Sequence, residues 1–286
     1  AIRGHPYIQK EMAAIQENNL KLFDRVLFEH VGFFLHNLAA SFWFGLTNAS
    51  FLNVPGDKLT RRYYRQIIRL SSGFALLADY AMLTLGGKLK RKERLSGSFA
   101  DALSNLYLCS CVLKHYQNLG CPKEDEPLLN WACQQTIYSA NKALLDICRK
   151  LPIRAVATVL RWLIFSLAKT NALPDELLIH QTATILLNDS PARDRLTHGI
   201  YINDKPNDAT GRVEVAFKMV LAAAPIEAKI RAAQKQKSIA KGLPTDLIKE
   251  SITKNIITEQ ESQLLLAAEQ AMLSVVAVDD FSSEEL

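Results

Sequence analysis

Glycine and proline are scarce, 12 and 10 of 286 residues, and nowhere do apolar and polar residues alternate with a period of two. That excludes an all-β or loop-rich chain, because half-buried strands need the alternation and their turns need Gly and Pro. Cysteine is little used as well. The five, Cys109, Cys111, Cys121, Cys133 and Cys148, show neither paired CxxC spacing nor a companion histidine pattern. A zinc site and a disulfide framework are both set aside. Most of these thiols fall inside expected helices, as buried reduced cysteines of a reducing compartment do. The opening AIRGHPYIQKEM has no apolar core followed by a small-residue cleavage site, so a cytosolic chain is the expectation. Also missing are a Gly-rich phosphate loop after a strand, GxSxG, HExxH, and any nucleophile with a base at a recognisable spacing. His5, His30, His36, His115, His180 and His198 are scattered and form no constellation in sequence.

What is present is helical periodicity. With 49% hydrophobic and 22% charged residues the chain can bury a core, and an all-α multi-helix bundle is expected. Its centre is the stretch 60–116. Tyr63, Ile67, Leu70, Phe74, Leu77, Ala81 and Leu85 recur at spacings of three and four, which puts them on one helix face. Phe99, Ala102, Leu106, Cys109, Leu113 and Tyr116 form a second such stripe. Gly86-Gly87 between them is a helix stop. The two halves should pack as an antiparallel hairpin, each burying the stripe of the other. On the first half Asp79 has only apolar helical neighbours, Ala75, Leu76, Met82 and Leu83. A carboxylate there must find a partner or be protonated. A structural ion pair or a helix-terminus bond is preferred to a general base.

Around this hairpin, Pro6 can open a short helix over 7–16. Residues 20–46 read as a long helix with no formal charge from 31 to 56. Its aromatics Phe33, Phe34, Phe42, Trp43 and Phe44 cover several faces, so a core helix covered on more than one side is expected. A membrane-contacting face is the alternative. His36, Asn37, Ser41, Gly45 and Asn48 argue against a true span. A helix over 128–151 is followed by Pro152, which restarts one through IRAVATVLRWLIFSLAK. Beyond 170 come a helix after Pro174, a short helix at SPARDRL, and an exposed connection within 187–212. Helices over 213–224, 228–241, 243–255 and 258–278 follow, the last with Thr258 and Glu261 as a capping box. The expected division is a central bundle at 19–170 and a C-terminal subdomain at 171–286, with DDFSSEEL loose at the end.

The densest charge feature is KLKRKER, with Lys88, Lys90, Arg91, Lys92 and Arg94 against Glu93. A solvated turn is the plain reading. Anionic lipid or an acidic partner surface comes next, and nucleic acid last, for want of interleaved aromatics or a helix-turn-helix signature. Arg154, Arg161 and Trp162 beside Phe165 are the second candidate for a membrane surface, in competition with core packing. Arg193 and Arg195 could hold a phosphate, but bridges to nearby acids suit them better. His5 beside Pro6 reads as a junction residue, because no carboxylate lies near it in sequence. No metal-binding or cofactor-binding residue is assigned.

The run ALLADYAMLTLGGKLKRKERLS, together with AIRGHPY and SFWFGLT (41–47), resembles the C-terminal region of the large bacterial acyl-coenzyme A dehydrogenases of fatty-acid β-oxidation. The likeness runs in register from the first residue to the end and is densest over 60–108. It implies a parent that uses FAD to oxidise an acyl thioester. The family's catalytic glutamate and flavin contacts lie upstream, so no catalytic role passes to a residue of this chain, which alone is expected to be inactive. Residues 1–18 would then be the junction to that catalytic domain, with Arg3, His5 and Pro6 matching the family's junction motif. The partners expected with it are the upstream domain and a second copy; KLKRKER and the segment 154–165 add an anionic membrane surface at the inner face of the membrane, and no nucleic acid is expected. A stand-alone helical interaction module and an acyl-coenzyme A binding bundle using Lys88, Lys90 and Arg91 remain the alternatives.

Overall fold

The computed structural model describes residues 5–165, 172–203, 208–239 and 244–277. Among them every regular element is helical. In chain order they are α1 (Ile8–Gln16), α2 (Leu20–Thr47), α3 (Lys58–Leu85), a 3-10 turn (Gly86–Arg91), α4 (Glu93–Asn118), a 3-10 turn (Lys123–Asp125), α5 (Glu126–Lys150), α6 (Arg154–Phe165), α7 (Glu176–Leu186), α8 (Pro191–Thr197), α9 (Ala209–Lys235), α10 (Pro244–Thr253) and α11 (Glu259–Val276). The all-α expectation holds. The chain divides into two compact units, Ala1–Thr182 and Ala183–Leu286.

In the first unit the expected hairpin forms. Asp57 caps α3: it accepts from the Thr60 amide at 2.8 Å, and Thr60 Oγ1 accepts from the Asp57 amide at 3.0 Å. Gly86, at φ +49°, ends α3 where a side chain would be strained. All six stripe residues of α4 are buried. On α3, Tyr63, Leu70, Leu77 and Ala81 are buried, and Ile67, Phe74 and Leu85 pack partly covered against the same core. Phe74 and Phe99 meet edge to face at 5.7 Å. The stripes do not simply cover one another, however. The stripe of α4 lies chiefly along α5, whose Leu129, Cys133, Ile137, Ala140, Leu144 and Ile147 are buried. α3 is shared among α2, α4, α5 and α6.

The helix 20–46 departs from expectation in part. α1, α3 and α6 all pack on α2, so it is covered on more than one side as expected, but one side stays open. The face it turns inward carries Val26, Asn37, Ser41 and Gly45, while Phe28, Val31, Leu35, Phe42, Trp43 and Leu46 stand exposed. Phe34 and Leu38 pack against the core, so this helix carries apolar residues both inward and outward. Small inward residues allow close approach to the neighbouring helices, and α6 makes a similar approach to α3, where a Cβ on Gly73 would lie 2.8 Å from Ile164 Cγ2. Among the described residues one stretch, Lys58–Arg91, could cross a bilayer by length and composition, but half of its apolar window is buried inside the bundle, as suits a core helix.

In the second unit α9 and α11 pack together with α10 against α11, around Ala223, Ile226, Ile230, Ile257, Leu265 and Ala268. The helices expected over 213–224 and 228–241 are one, since α9 runs through Pro225. Proline costs that helix one backbone bond, and the Ala-rich flanks still favour helix on both sides. The capping box of α11 is present, with Thr258 accepting from the Glu261 amide at 3.2 Å and Glu261 from the Thr258 amide at 2.8 Å.

Candidate functional site

The first unit brings together four ionisable side chains that are scattered in sequence. His5 lies just before α1, Glu11 on α1, His30 on α2 and Asp79 on α3. The amides of Tyr7 and Ile8 point at His5 Nδ1, at 3.3 and 3.2 Å. Nδ1 is therefore an acceptor, so the proton of the neutral ring sits on Nε2, which donates to Asp79 Oδ1 at 2.6 Å. On the other side His30 Nδ1 donates to Glu11 Oε1 at 2.7 Å, which turns His30 Nε2 toward Asp79 Oδ1 at 3.8 Å. Tyr7 stacks on His30 at 5.6 Å and Phe33 closes over Tyr7 at 5.4 Å. His5 and Asp79 are 9% and 5% exposed. Asp79 Oδ2 is buried without a hydrogen-bond partner among the described residues.

Ligand atoms of His5, His30 and Asp79 lie within 4.8 Å of one another, a spacing open to a cation. The proton placement opposes one. A metal on His5 Nε2 would force a proton onto Nδ1, against two amide N–H groups. The cluster is a hydrogen-bonded clasp that pins the residues before α1 to α2 and α3. It answers the question raised by Asp79 on its apolar face: the partner is a histidine 74 residues away. His5 and Pro6 of the junction set fall here, Pro6 exposed, whereas Arg3 lies outside the described residues.

The basic run forms the turn between α3 and α4. Leu89 and Leu95 are buried and anchor it, and Lys88, Lys90, Arg91, Lys92 and Arg94 are all exposed. No ion pair is found for these five among the described residues. Lys150, at the end of α5, donates to the Arg94 carbonyl at 3.2 Å and to Ser98 Oγ at 2.7 Å, so that another cation joins this end of the bundle. Arg154 opens α6 beside it. Arg154, Arg161 and Trp162 are exposed, and Ala157, Leu160 and Ile164 face the core. Trp162 does not join the basic turn; it packs on Phe42 of α2 at 5.9 Å. In the second unit Arg193 is bound by Glu214 at 2.7 and 3.3 Å, as an ion pair rather than a free phosphate site. A cleft of about 310 Å³ between α9, α10 and α11 is lined by Ala223, Ile230, Leu265 and Met272, with Glu227 and Glu269 at its wall.

The first unit is a helical bundle with a buried ionisable cluster and with its basic turn and several aromatics on the surface. The chain belongs to the bacterial-type C-terminal family of acyl-CoA dehydrogenase, which matches residues 2–281. No solved structure matches it.

Proposed function

We propose that this region serves an FAD-dependent acyl-CoA dehydrogenase of fatty-acid β-oxidation as a structural part. It holds the catalytic part in place and supplies neither base nor flavin contact itself. The observation that carries the reading is the His5–Asp79 clasp at 2.6 Å, which buries His5 of the junction set inside the bundle. The test uses the full-length enzyme. Its flavin absorption should bleach on adding acyl-CoA, and His5→Ala or Asp79→Ala should lower flavin retention or kcat/KM while the helical content stays. A colourless, inactive full-length protein overturns the reading and favours a stand-alone interaction module.

A second reading concerns the turn 88–94. Its exposed cations, without ion pairs among the described residues, suit an anionic membrane surface on the cytoplasmic side, each lysine or arginine near such a surface contributing about 1 kcal/mol. Sedimentation of the enzyme with anionic vesicles should weaken with salt and with Lys90→Glu/Arg91→Glu. Equal binding to neutral vesicles would count against it.

A further inference from the structure

Two turns that are far apart in the chain meet at one end of the first unit. One joins α3 to α4 (86–92) and the other α5 to α6 (151–153). Lys150 ties them, donating to the Arg94 carbonyl at 3.2 Å and to Ser98 Oγ at 2.7 Å. Leu89, Leu95 and Leu151 are buried and hold both turns on the bundle. What the turns leave outside is basic and, in two places, apolar: Leu83 is 81% and Ile153 49% exposed. We infer that the bundle docks end-on against an anionic bilayer through both turns, with Leu83 and Ile153 entering the boundary between headgroups and acyl chains and the cations held at the phosphates. The inference rests on the second reading above and deepens it, since it adds the second turn and names the side chains that enter the bilayer.

Charge chooses the bilayer over the other occupants. Residues 83–100 and 146–154 carry eight lysines and arginines against two acids, Glu93 and Asp146, and Asp146 is already held by Arg149 at 3.1 Å. The opening turns of α2 are balanced, with Lys21 and Arg25 against Asp24 and Glu29, so they do not reverse the sign. A second copy meeting this end across a two-fold axis would set cations against cations. A protein partner suits it poorly as well, because lysine is depleted in protein interfaces and four of the eight cations are lysines. An anionic leaflet attracts each of them. Long basic side chains can also lay their stems along apolar surface while the charge stays in water. Attachment then grows with the apolar area buried beside them, and Leu83 and Ile153 supply that area.

The test places a photo-crosslinking benzoylphenylalanine at Ile153 in the full-length enzyme, with the same probe at Leu103 on α4 as control. Both positions are exposed, so the fold tolerates the probe. With phosphatidylglycerol vesicles, irradiation should join position 153 to lipid several-fold more than position 103. Leu83→Ser/Ile153→Ser, which leaves the charge unchanged, should weaken co-sedimentation several-fold while the helical content stays. Equal lipid crosslinking at the two positions, crosslinks from position 153 to protein alone, or unchanged co-sedimentation of the serine variant would each overturn the inference. Displacement of the enzyme from the vesicles by free coenzyme A would assign the cations to a soluble phosphate ligand and overturn it likewise. The second reading fails separately, if the unsubstituted enzyme does not sediment with these vesicles or if Lys90→Glu/Arg91→Glu changes nothing. Weakened sedimentation of that variant, with position 153 left uncrosslinked, removes the inference alone.

Discussion

His5 and Asp79, 74 positions apart, share one buried hydrogen bond of 2.6 Å, and the same carboxylate oxygen faces His30 at 3.8 Å. Removing the carboxylate strands the His5 Nε2 proton in the interior and leaves His30 with Glu11 alone. Asp79→Ala should destabilise the chain by about 1–3 kcal/mol, the cost of a buried unsatisfied group. Asp79→Asn keeps an acceptor oxygen and should lose less. Urea unfolding measures both, and hydrogen exchange at the Tyr7 and Ile8 amides, which His5 accepts, should quicken more in the alanine variant. Equal losses in the two variants would show that charge, not the hydrogen bond, holds the clasp.

Gly73→Ala replaces a poor helix former by the best one, a gain of about 1 kcal/mol at an exposed position. Here the new Cβ would meet Ile164 Cγ2 at 2.8 Å. Ile164 is fully buried and β-branched, so its χ1 has little room to yield. The clash should win, with a net loss of about 1–3 kcal/mol. Combined with Ile164→Ala the two effects should be far from additive; additive thermal shifts would mean that α6 does not approach α3 at this point.

Much of the fold was legible because helix stripes declare themselves locally. Every stripe residue of α4 is buried, and the Gly86-Gly87 stop, the basic turn and the Thr258–Glu261 box stand where their residue types put them. The clasp was half legible. Asp79 among apolar neighbours showed that a partner was needed, but the partner is remote in the chain, and proximity in sequence could not find it. His30 carried no signal of its own. On α2 hydrophobicity and burial part company at Phe42 and Trp43, which are exposed, while Phe33, Phe34 and Phe44 are half-buried. Asn37, Ser41 and Gly45, spaced by four, are the sign of a closely packed face, and Phe42 and Trp43 across the helix from them are the residues whose hydrophobicity does not mean burial. The two helices expected over 213–224 and 228–241 join through Pro225, because the packing of α9 on α11 outweighs one lost bond.

Arg69 is enclosed in the first unit with a single partner among the described residues, Gln66 Oε1, which accepts from Nε at 3.1 Å and Nη2 at 2.9 Å. Nη1 has none. Burial lowers its pKa from the ordinary guanidinium value to about 10. The folded value lies below the unfolded one, so the charged guanidinium is disfavoured by folding at neutral pH, and stability should rise only as pH climbs through about 10. Arg69→Met keeps similar volume and removes the charge, and should stabilise by about 1–3 kcal/mol, a rise in Tm of roughly 2–4 °C per kcal/mol for a chain of this size. A lower Tm would show that Nη1 meets an anion in the working protein.

Acid should loosen the second unit at Arg193 and Glu214. The guanidinium grips the carboxylate with two hydrogen bonds and lies over the Phe217 ring at 4.2 Å, joining α8 to α9. Arg193 holds the Glu214 carboxyl below its ordinary value of 4.5. With the folded value depressed, the pair contributes fully above pH 4.5 and its contribution fades as pH falls through the lower folded value. Both side chains are partly open to solvent, so about 1 kcal/mol is the expected size. Hydrogen exchange along α8 should therefore quicken in acid in the native chain. In Arg193→Gln it should already be quick at neutral pH and change little on acidification; an unchanged acid response in that variant would place the titrating contact elsewhere.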